Sequence, residues 1–183
     1  VTIYKRSGDT FTKLTDPASL PAGNGTEADF SPNNTYLAIA PLGSPYITIY
    51  KRSGDTFTKL ANPSTLPTGN GISAAFSPDD TYLAVAHSVS PYVTIYKRSG
   101  DTFTKLTDPA TLPTGTGNAV TFSPDNTYLA VGHDYSTRSL TIYKRSGDTF
   151  TKLSDPASPP TNYIYGTVFS PDGTYLAIGH YSS

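Results

Sequence analysis

Short apolar runs alternate with polar, turn-forming clusters along the whole chain, at a spacing that leaves no room for a helix of useful length. In the segment from 118 to 153, Asn118-Ala-Val-Thr-Phe122 is apolar-rich and is followed by Ser123-Pro-Asp-Asn126, a cluster with turn chemistry. This predicts a strand A and its turn. Thr127-Tyr-Leu-Ala-Val-Gly132 predicts strand B, a polar loop runs from His133 to Ser139, and Leu140-Thr-Ile-Tyr-Lys144 predicts strand C. Ser146-Gly147-Asp148 supplies a tight turn with a glycine free to take positive φ, and Thr149-Phe-Thr-Lys-Leu153 predicts strand D. Apolar residues occupy both alternating sets of positions: Leu129 and Val131 on one face of strand B oppose Tyr128 and Ala130 on the other. A sheet that is apolar on both faces must be covered on both faces.

The same layout recurs. The string Ile-Tyr-Lys-Arg-Ser-Gly-Asp-Thr-Phe-Thr-Lys-Leu begins at Ile3, Ile49, Ile95 and Ile142 without a change, and Phe-Ser-Pro-x-x-Thr-Tyr-Leu-Ala begins at Phe30, Phe76, Phe122 and Phe169. Both step by 46, 46 and 47 residues, a period that indicates propellers or solenoids rather than one globular core. Units of four short strands, stacked face to face, predict an all-β propeller with four four-stranded antiparallel blades per chain. Residues 1–183 form one such domain, with repeats starting near 1, 47, 93 and 140. After strand D comes Asp/Asn-Pro-x-x-x-Pro, and in the first three repeats a Gly-x-Gly such as Gly69-Asn70-Gly71 leads into the next strand A.

Phe169-Ser170-Pro171-Asp172-Gly173, with near versions at Phe30, Phe76 and Phe122, resembles the turn between the first two strands of WD-repeat-like β-propellers and their bacterial and phage-type relatives. The resemblance covers all four repeats and implies the propeller fold. It departs from the eponymous family where Tyr4-Lys5, Tyr50-Lys51, Tyr96-Lys97 and Tyr143-Lys144 stand in place of Trp-Asp. Gly132-His133 and Gly179-His180 end strand B, whereas the family's Gly-His precedes strand A, so its hydrogen-bond tetrad does not carry over.

Composition changes this picture little. With 36% apolar residues, 15 Gly, 16 Pro and 14 Tyr, the chain fits a turn-rich β protein. No apolar run approaches the ~20 residues of a membrane helix. Cysteine is absent, so there are no disulfides or thiolate metal sites, and methionine is absent even at position 1, as expected of a processed, excised or engineered chain. Asn24 and Asn33 lie in Asn-x-Thr sequons, a short pattern that leaves the compartment open. Net charge is −1, and twelve of the thirteen basic residues belong to the repeated string, each Lys-Arg pair being followed within three residues by Asp9, Asp55, Asp101 or Asp148. Such local mixing predicts solvated turns with small ion pairs rather than a nucleic-acid stripe.

Catalytic motifs are sparse. Phosphate-loop, nucleophile-elbow and His-Glu-x-x-His patterns are missing. His87, His133 and His180 sit at equivalent strand ends, and neighbouring blades ~10 Å apart cannot bring them onto one metal with ~2 Å bonds. They read as loop histidines. Glu27 and Asp29 occur in the first repeat alone, near the expected inner strand, as candidate channel carboxylates for a cation or sugar. No catalytic, cofactor or metal residues are therefore assigned.

Recognition is expected where one repeat breaks the pattern. The loop His133-Asp-Tyr-Ser-Thr-Arg-Ser139 replaces a Ser-Pro-Tyr loop, and Asn162-Tyr163-Ile164-Tyr165 replaces Gly-x-Gly-x. His133, Asp134, Tyr135, Arg138, Tyr163 and Tyr165 form the candidate binding patch on one rim, rich in tyrosine and arginine. The expected role is a non-catalytic binding or structural scaffold with a protein or glycan ligand, and without nucleic-acid or membrane partners. The alternatives are a lactonase-like propeller enzyme, or a repeat segment of a larger extracellular or virion protein. Finally, the chain opens in strand C and stops after strand B, so its terminal blade must combine strands C and D from one end with A and B from the other. Two chains trading these ends would make an eight-bladed homodimer, and one chain closing on itself a four-bladed ring.

Overall fold

The computed structural model describes residues 1–134 and 138–181. Sixteen strands and no helix occur among them. An N-terminal half-blade, β1 (Tyr4–Ser7) and β2 (Thr10–Lys13), precedes three complete four-stranded antiparallel blades. The first blade is β3 (Gly25–Phe30), β4 (Tyr36–Pro41), β5 (Thr48–Ser53) and β6 (Thr56–Lys59). The second is β7 (Gly71–Phe76), β8 (Tyr82–His87), β9 (Val93–Ser99) and β10 (Thr102–Lys105). The third is β11 (Gly117–Phe122), β12 (Tyr128–His133), β13 (Leu140–Ser146) and β14 (Thr149–Lys152). A C-terminal half-blade, β15 (Ile164–Phe169) and β16 (Leu176–His180), completes the arc. The chain is thus a partial propeller of about four blades, with three whole sheets and two two-stranded halves that do not pair with each other. This corrects the option of a four-bladed ring closed within one chain.

Turn chemistry sets the strand ends. In the A to B turn of the second blade, Ser77 Oγ accepts the Tyr82 N–H at 2.8 Å, and Asp79 Oδ1 accepts the Thr81 N–H at 3.1 Å. Asp80 takes φ of 57°, and Asn34, Asn126 and Gly173 occupy the equivalent left-handed position, which is why Asx or Gly stands there. In the C to D hairpin, Ser53 pairs with Thr56, leaving the two-residue loop Gly54-Asp55 with φ of 58° at Gly54, the arrangement of a type II′ turn.

Burial lies between blades. Tyr36, Ala38, Ala40 and Ile49 from one face of the first blade pack against Ala74, Phe76, Leu83, Val85, Tyr96 and Phe103 of the second. Leu37, Ile39, Tyr50 and Phe57, on the opposite face, pack toward Ile3 and Leu14 of the N-terminal half-blade. The second seam repeats the first, with Tyr82, Ala84 and Ile95 against Phe122, Leu129, Val131, Tyr143 and Phe150. Polar clamps close each seam on its outer side. Tyr36 Oη donates to Asp101 Oδ1 at 2.6 Å, Lys51 Nζ to Asp101 Oδ2 at 2.8 Å, and the Arg98 guanidinium lies 5.2 Å from the Tyr36 ring centroid. Tyr82, Lys97, Asp148 and Arg145 repeat the set in the next seam. The expected ion pairs therefore form, but across blades rather than within the turn: Lys51 reaches Asp101, not Asp55.

The irregular fourth repeat has a packing explanation. A Cβ on Gly117 would stand 2.3 Å from the Tyr92 carbonyl and 3.0 Å from Ala86 Cβ, so glycine is required where strand A passes beneath the preceding B to C loop. One seam later the sizes are exchanged: Ile164 takes the Gly117 position, wholly buried, and Gly132 takes the Ala86 position. A Cβ at Gly132 would lie 2.2 Å from Ile164 Cγ2. Gly132→Ala is therefore expected to destabilise the fold by about 1–3 kcal/mol through overpacking, measured as a lower urea midpoint at unchanged m-value.

Candidate functional site at the axial opening

Strands β3, β7, β11 and β15 lie side by side and form the inner wall of the arc. Each carries a bulge against its strand B: the register skips between Gly25 and Glu27, Gly71 and Ser73, Gly117 and Ala119, and Ile164 and Gly166. The extra residues are Thr26, Ile72, Asn118 and Tyr165. Bulges re-aim side chains, and here all four bulged residues line one cavity of about 440 Å³, shared with Glu27, Ser73, Thr167 and their neighbours. A larger cleft of about 570 Å³ lies between Leu14–Ser19 and the hairpin at Asp55–Lys59. It recurs two blades on, between 107–111 and 148–152, where the same repeated segments meet. The axial cavity differs at each blade, and difference is what a specific site needs.

Side chains of the inner wall also stitch neighbouring blades. Glu27 Oε2 accepts the Ala74 N–H at 3.2 Å, Asp29 Oδ2 the Phe76 N–H at 2.7 Å, and Ser73 Oγ the Val120 N–H at 3.1 Å. Burial pushes the Asp29 carboxyl above its ordinary range, with the Glu27 charge adding to it and the bond from Phe76 opposing. Glu27 lines the cavity, whereas Asp29 does not. The expectation of a paired channel carboxylate site thus resolves into one carboxylate at the cavity and one structural clasp. Among the described residues no group of three or more His, Cys, Asp or Glu could hold a metal ion.

The rim residues are placed as follows. His133 is fully buried, its Nε2 3.1 Å from Thr141 Oγ1, as His87 Nε2 is 2.9 Å from Thr94 Oγ1. Both histidines are therefore parts of blade interiors, and His133 drops out of an accessible patch. The Asp134 N–H donates to the Thr116 carbonyl at 3.0 Å, and Tyr135 lies outside the described residues. Arg138 Nη1 donates to Asp155 Oδ2 at 3.0 Å, and Asp155 also pairs with Lys152. Tyr163 and Tyr165 are exposed and stack with centroids 6.4 Å apart and planes at 21°. Tyr165 belongs to the axial cavity, while Arg138 is held at the connection after β14. Sequence reading found Glu27 and Tyr165 but missed Thr26, Ile72 and Asn118. Their signal was position: each follows the glycine that opens strand A and differs from repeat to repeat.

The family described as lactonase, 7-bladed β-propeller, matches residues 27–183, and the chain belongs to it. No curated protein matches by sequence search. Solved structures show the fold. A protein proposed as a 6-phosphogluconolactonase from Bacteroides uniformis ATCC 8492 superposes with a TM-score of 0.73 at 15% identity, and a Lactobacillus plantarum protein with 0.73 at 22%. In both, 98% of this chain covers 57% of the other. A crystal structure of the mitotic checkpoint complex matches with 0.68 at 14%, over 93% of this chain and 52% of that one. The chain spans a little over half the length of these relatives. Membership of a lactonase family overturns the expectation of a non-catalytic scaffold and, with it, the exclusion of enzyme activity.

The two buried histidines generate a pH dependence. Burial lowers each from its ordinary 6.5 to about 4, so both are neutral in the folded chain. Below pH 6.5 the unfolded chain binds protons that the folded chain refuses, and stability falls until pH reaches about 4. The slope is at most about 1.4 kcal/mol per pH unit for each histidine. The urea midpoint is expected to drop from pH 6.5 to 4, and the double variant His87→Gln, His133→Gln to flatten that drop.

Proposed function

We propose that this chain builds the substrate opening of a lactone-hydrolysing propeller, with the axial cavity as its site. The observation that carries the reading is the convergence of four non-repeating bulge residues and one carboxylate, Glu27, on a single cavity in a chain of the lactonase family. Lactone hydrolysis needs a base for water and polar groups for a polyhydroxylated ring. Glu27 takes the proton of a water molecule, whose oxygen attacks the lactone carbonyl carbon; the ring C–O bond then breaks, and the departing alkoxide recovers the proton to leave an open hydroxy acid. Asn118 supplies an amide group to the ring substituents, and the Tyr165 ring, stacked on Tyr163, offers a flat face to the sugar. Among the described residues the lining includes no Lys or Arg, which favours an uncharged lactone over the phosphorylated one named for the Bacteroides uniformis structure. The cavity needs inner strands on all sides, and this chain supplies four of them, β3, β7, β11 and β15.

Glucono-δ-lactone is the direct probe. Acid release in a pH-stat should exceed the buffer rate, and Glu27→Gln should lower it about a hundredfold or more with folding intact. A rate no greater than buffer, or an undiminished rate in the variant, would overturn the assignment.

A further inference from the structure

The outer clefts are alike from seam to seam, and sameness suits a ligand that itself repeats. Between the second and third blades, the connection after β10 (107–111) and the hairpin and strand at 148–152 enclose about 300 Å³, near the lower bound of small-molecule sites. Both blades are complete there, so the cleft owes nothing to a half-blade. The cleft between 14–19 and 55–59 is built of the same parts, with 15–19 reading Thr-Asp-Pro-Ala-Ser and 55–59 reading Asp-Thr-Phe-Thr-Lys. Between the first and second blades, Asn62-Pro63-Ser64-Thr65 and Asp101–Lys105 hold the equivalent positions.

Each wall is fastened from behind. Tyr143 Oη donates to the Thr111 carbonyl at 2.9 Å and anchors the connection, while Asp148 accepts from Tyr82 Oη at 2.6 Å and from Lys97 Nζ at 2.7 Å, which anchors the hairpin. The other two seams repeat the first fastening, with Tyr50 bonded to the Ser19 carbonyl at 2.8 Å and Tyr96 to the Thr65 carbonyl at 2.9 Å. The clefts are thus formed in the free protein, and a ligand has little left to order. The charges of the cleft between complete blades are already answered, because Asp148 meets Lys97, Asp108 meets Lys105 and Lys152 meets Asp155. Hydroxyl and peptide groups remain. Thr107, Thr111, Thr149 and Thr151 are exposed, and their hydroxyls make no hydrogen bond among the described residues. β14 is the outer edge of its sheet and bonds to β13 through Thr149, Thr151 and Leu153, so the N–H and C=O groups of Phe150 and Lys152 face the open edge.

We infer that these clefts are repeated subsites for a neutral polysaccharide, one at each seam. Sugar hydroxyls both donate and accept, which matches a surface of threonine hydroxyls and unpaired peptide groups. A polyanion finds no cation free of a partner in the cleft between complete blades. An added peptide strand finds an edge of two residues, walled by Pro109, too short for a ladder. One sugar held by a few exposed hydrogen bonds binds weakly, but equivalent clefts at fixed spacing along one arc turn weak contacts into firm capture of a polymer. This goes beyond the lactone reading and does not rest on it, since the outer clefts and the axial cavity share no lining residue.

Native electrophoresis through gels containing dextran, laminarin or galactomannan, all neutral, tests the inference, with alginate as the anionic comparison. At least one neutral polysaccharide should retard the chain, and its free monosaccharide should relieve the retardation only at about millimolar concentration or above. Ala18→Tyr, Ser64→Tyr and Ala110→Tyr each place a ring at an exposed position of one cleft. Apparent affinity should fall about tenfold with each cleft filled, at unchanged melting temperature, until the triple variant runs as it does without polysaccharide. If a filled variant melts early, Thr58→Val, Thr104→Val and Thr151→Val, which remove one hydroxyl per cleft and keep the strand shape, should weaken binding in the same stepwise order. No retardation by any neutral polysaccharide, retardation by alginate alone, full binding by the triple variant, or complete loss from a single filled cleft would each overturn the inference. Lactone hydrolysis should be the same in the triple variant and the wild type, so failure of either reading leaves the other standing.

Discussion

Every sheet of this protein is apolar on both faces, and a sheet of that kind has no stable state except between two others. Leu37 and Ile39 look toward one neighbour while Tyr36, Ala38 and Ala40 look toward the opposite one, so each blade serves as the cover of the next. The arc, the inner wall and the cavity are consequences of that stacking. Polar clamps add specificity rather than much energy: exposed pairs such as Lys51 with Asp101 are worth about 0–1 kcal/mol, yet each forms only when two blades sit at the right rotation and height. The buried tyrosine–phenylalanine contacts between neighbouring sheets, Tyr36 with Phe103 at 5.7 Å and Tyr82 with Phe150 at 5.8 Å, fix the same geometry from the apolar side.

Identity between repeats and difference between repeats have separate physical roles here. Outer hairpins carry the unchanged string because each must fit the same seam, and any departure would have to be matched on the neighbouring blade. Gly132 with Ile164 shows such a matched departure, in which volume removed from one strand is returned by the next. Inner strands face space rather than a neighbour at the bulge, so Ile72, Asn118 and Tyr165 are free of that constraint, while the Thr26 hydroxyl still donates to the Ala40 and Gly71 carbonyls. Chemistry can vary there without cost to the stack. Glu27 and Asp29 combine both roles, since each carboxylate accepts a backbone N–H of β7 while differing from its counterparts in the other blades.

Much of the fold was legible in the chain itself. The four strands per period, the left-handed Asx or Gly in the Ser-Pro-x-x turn, the glycine of the C to D hairpin and the double-sided burial all follow from local spacing and backbone preference, which act over a few residues. The two half-blades were also visible, because a repeat cut within its period can be counted. Tertiary structure alone decided which carboxylate a lysine meets, because Lys51 is 50 residues from Asp101 and only four from Asp55, and inter-blade geometry overrules proximity in sequence. It alone placed His133 inside a blade rather than on a rim, because the loop that follows strand B begins one residue later than the apolar pattern suggests. And it alone assembled the cavity: its residues arrive two or three from each inner strand, a full repeat apart, so no contiguous motif could announce them, and they meet only because stacking brings four bulges to one axis.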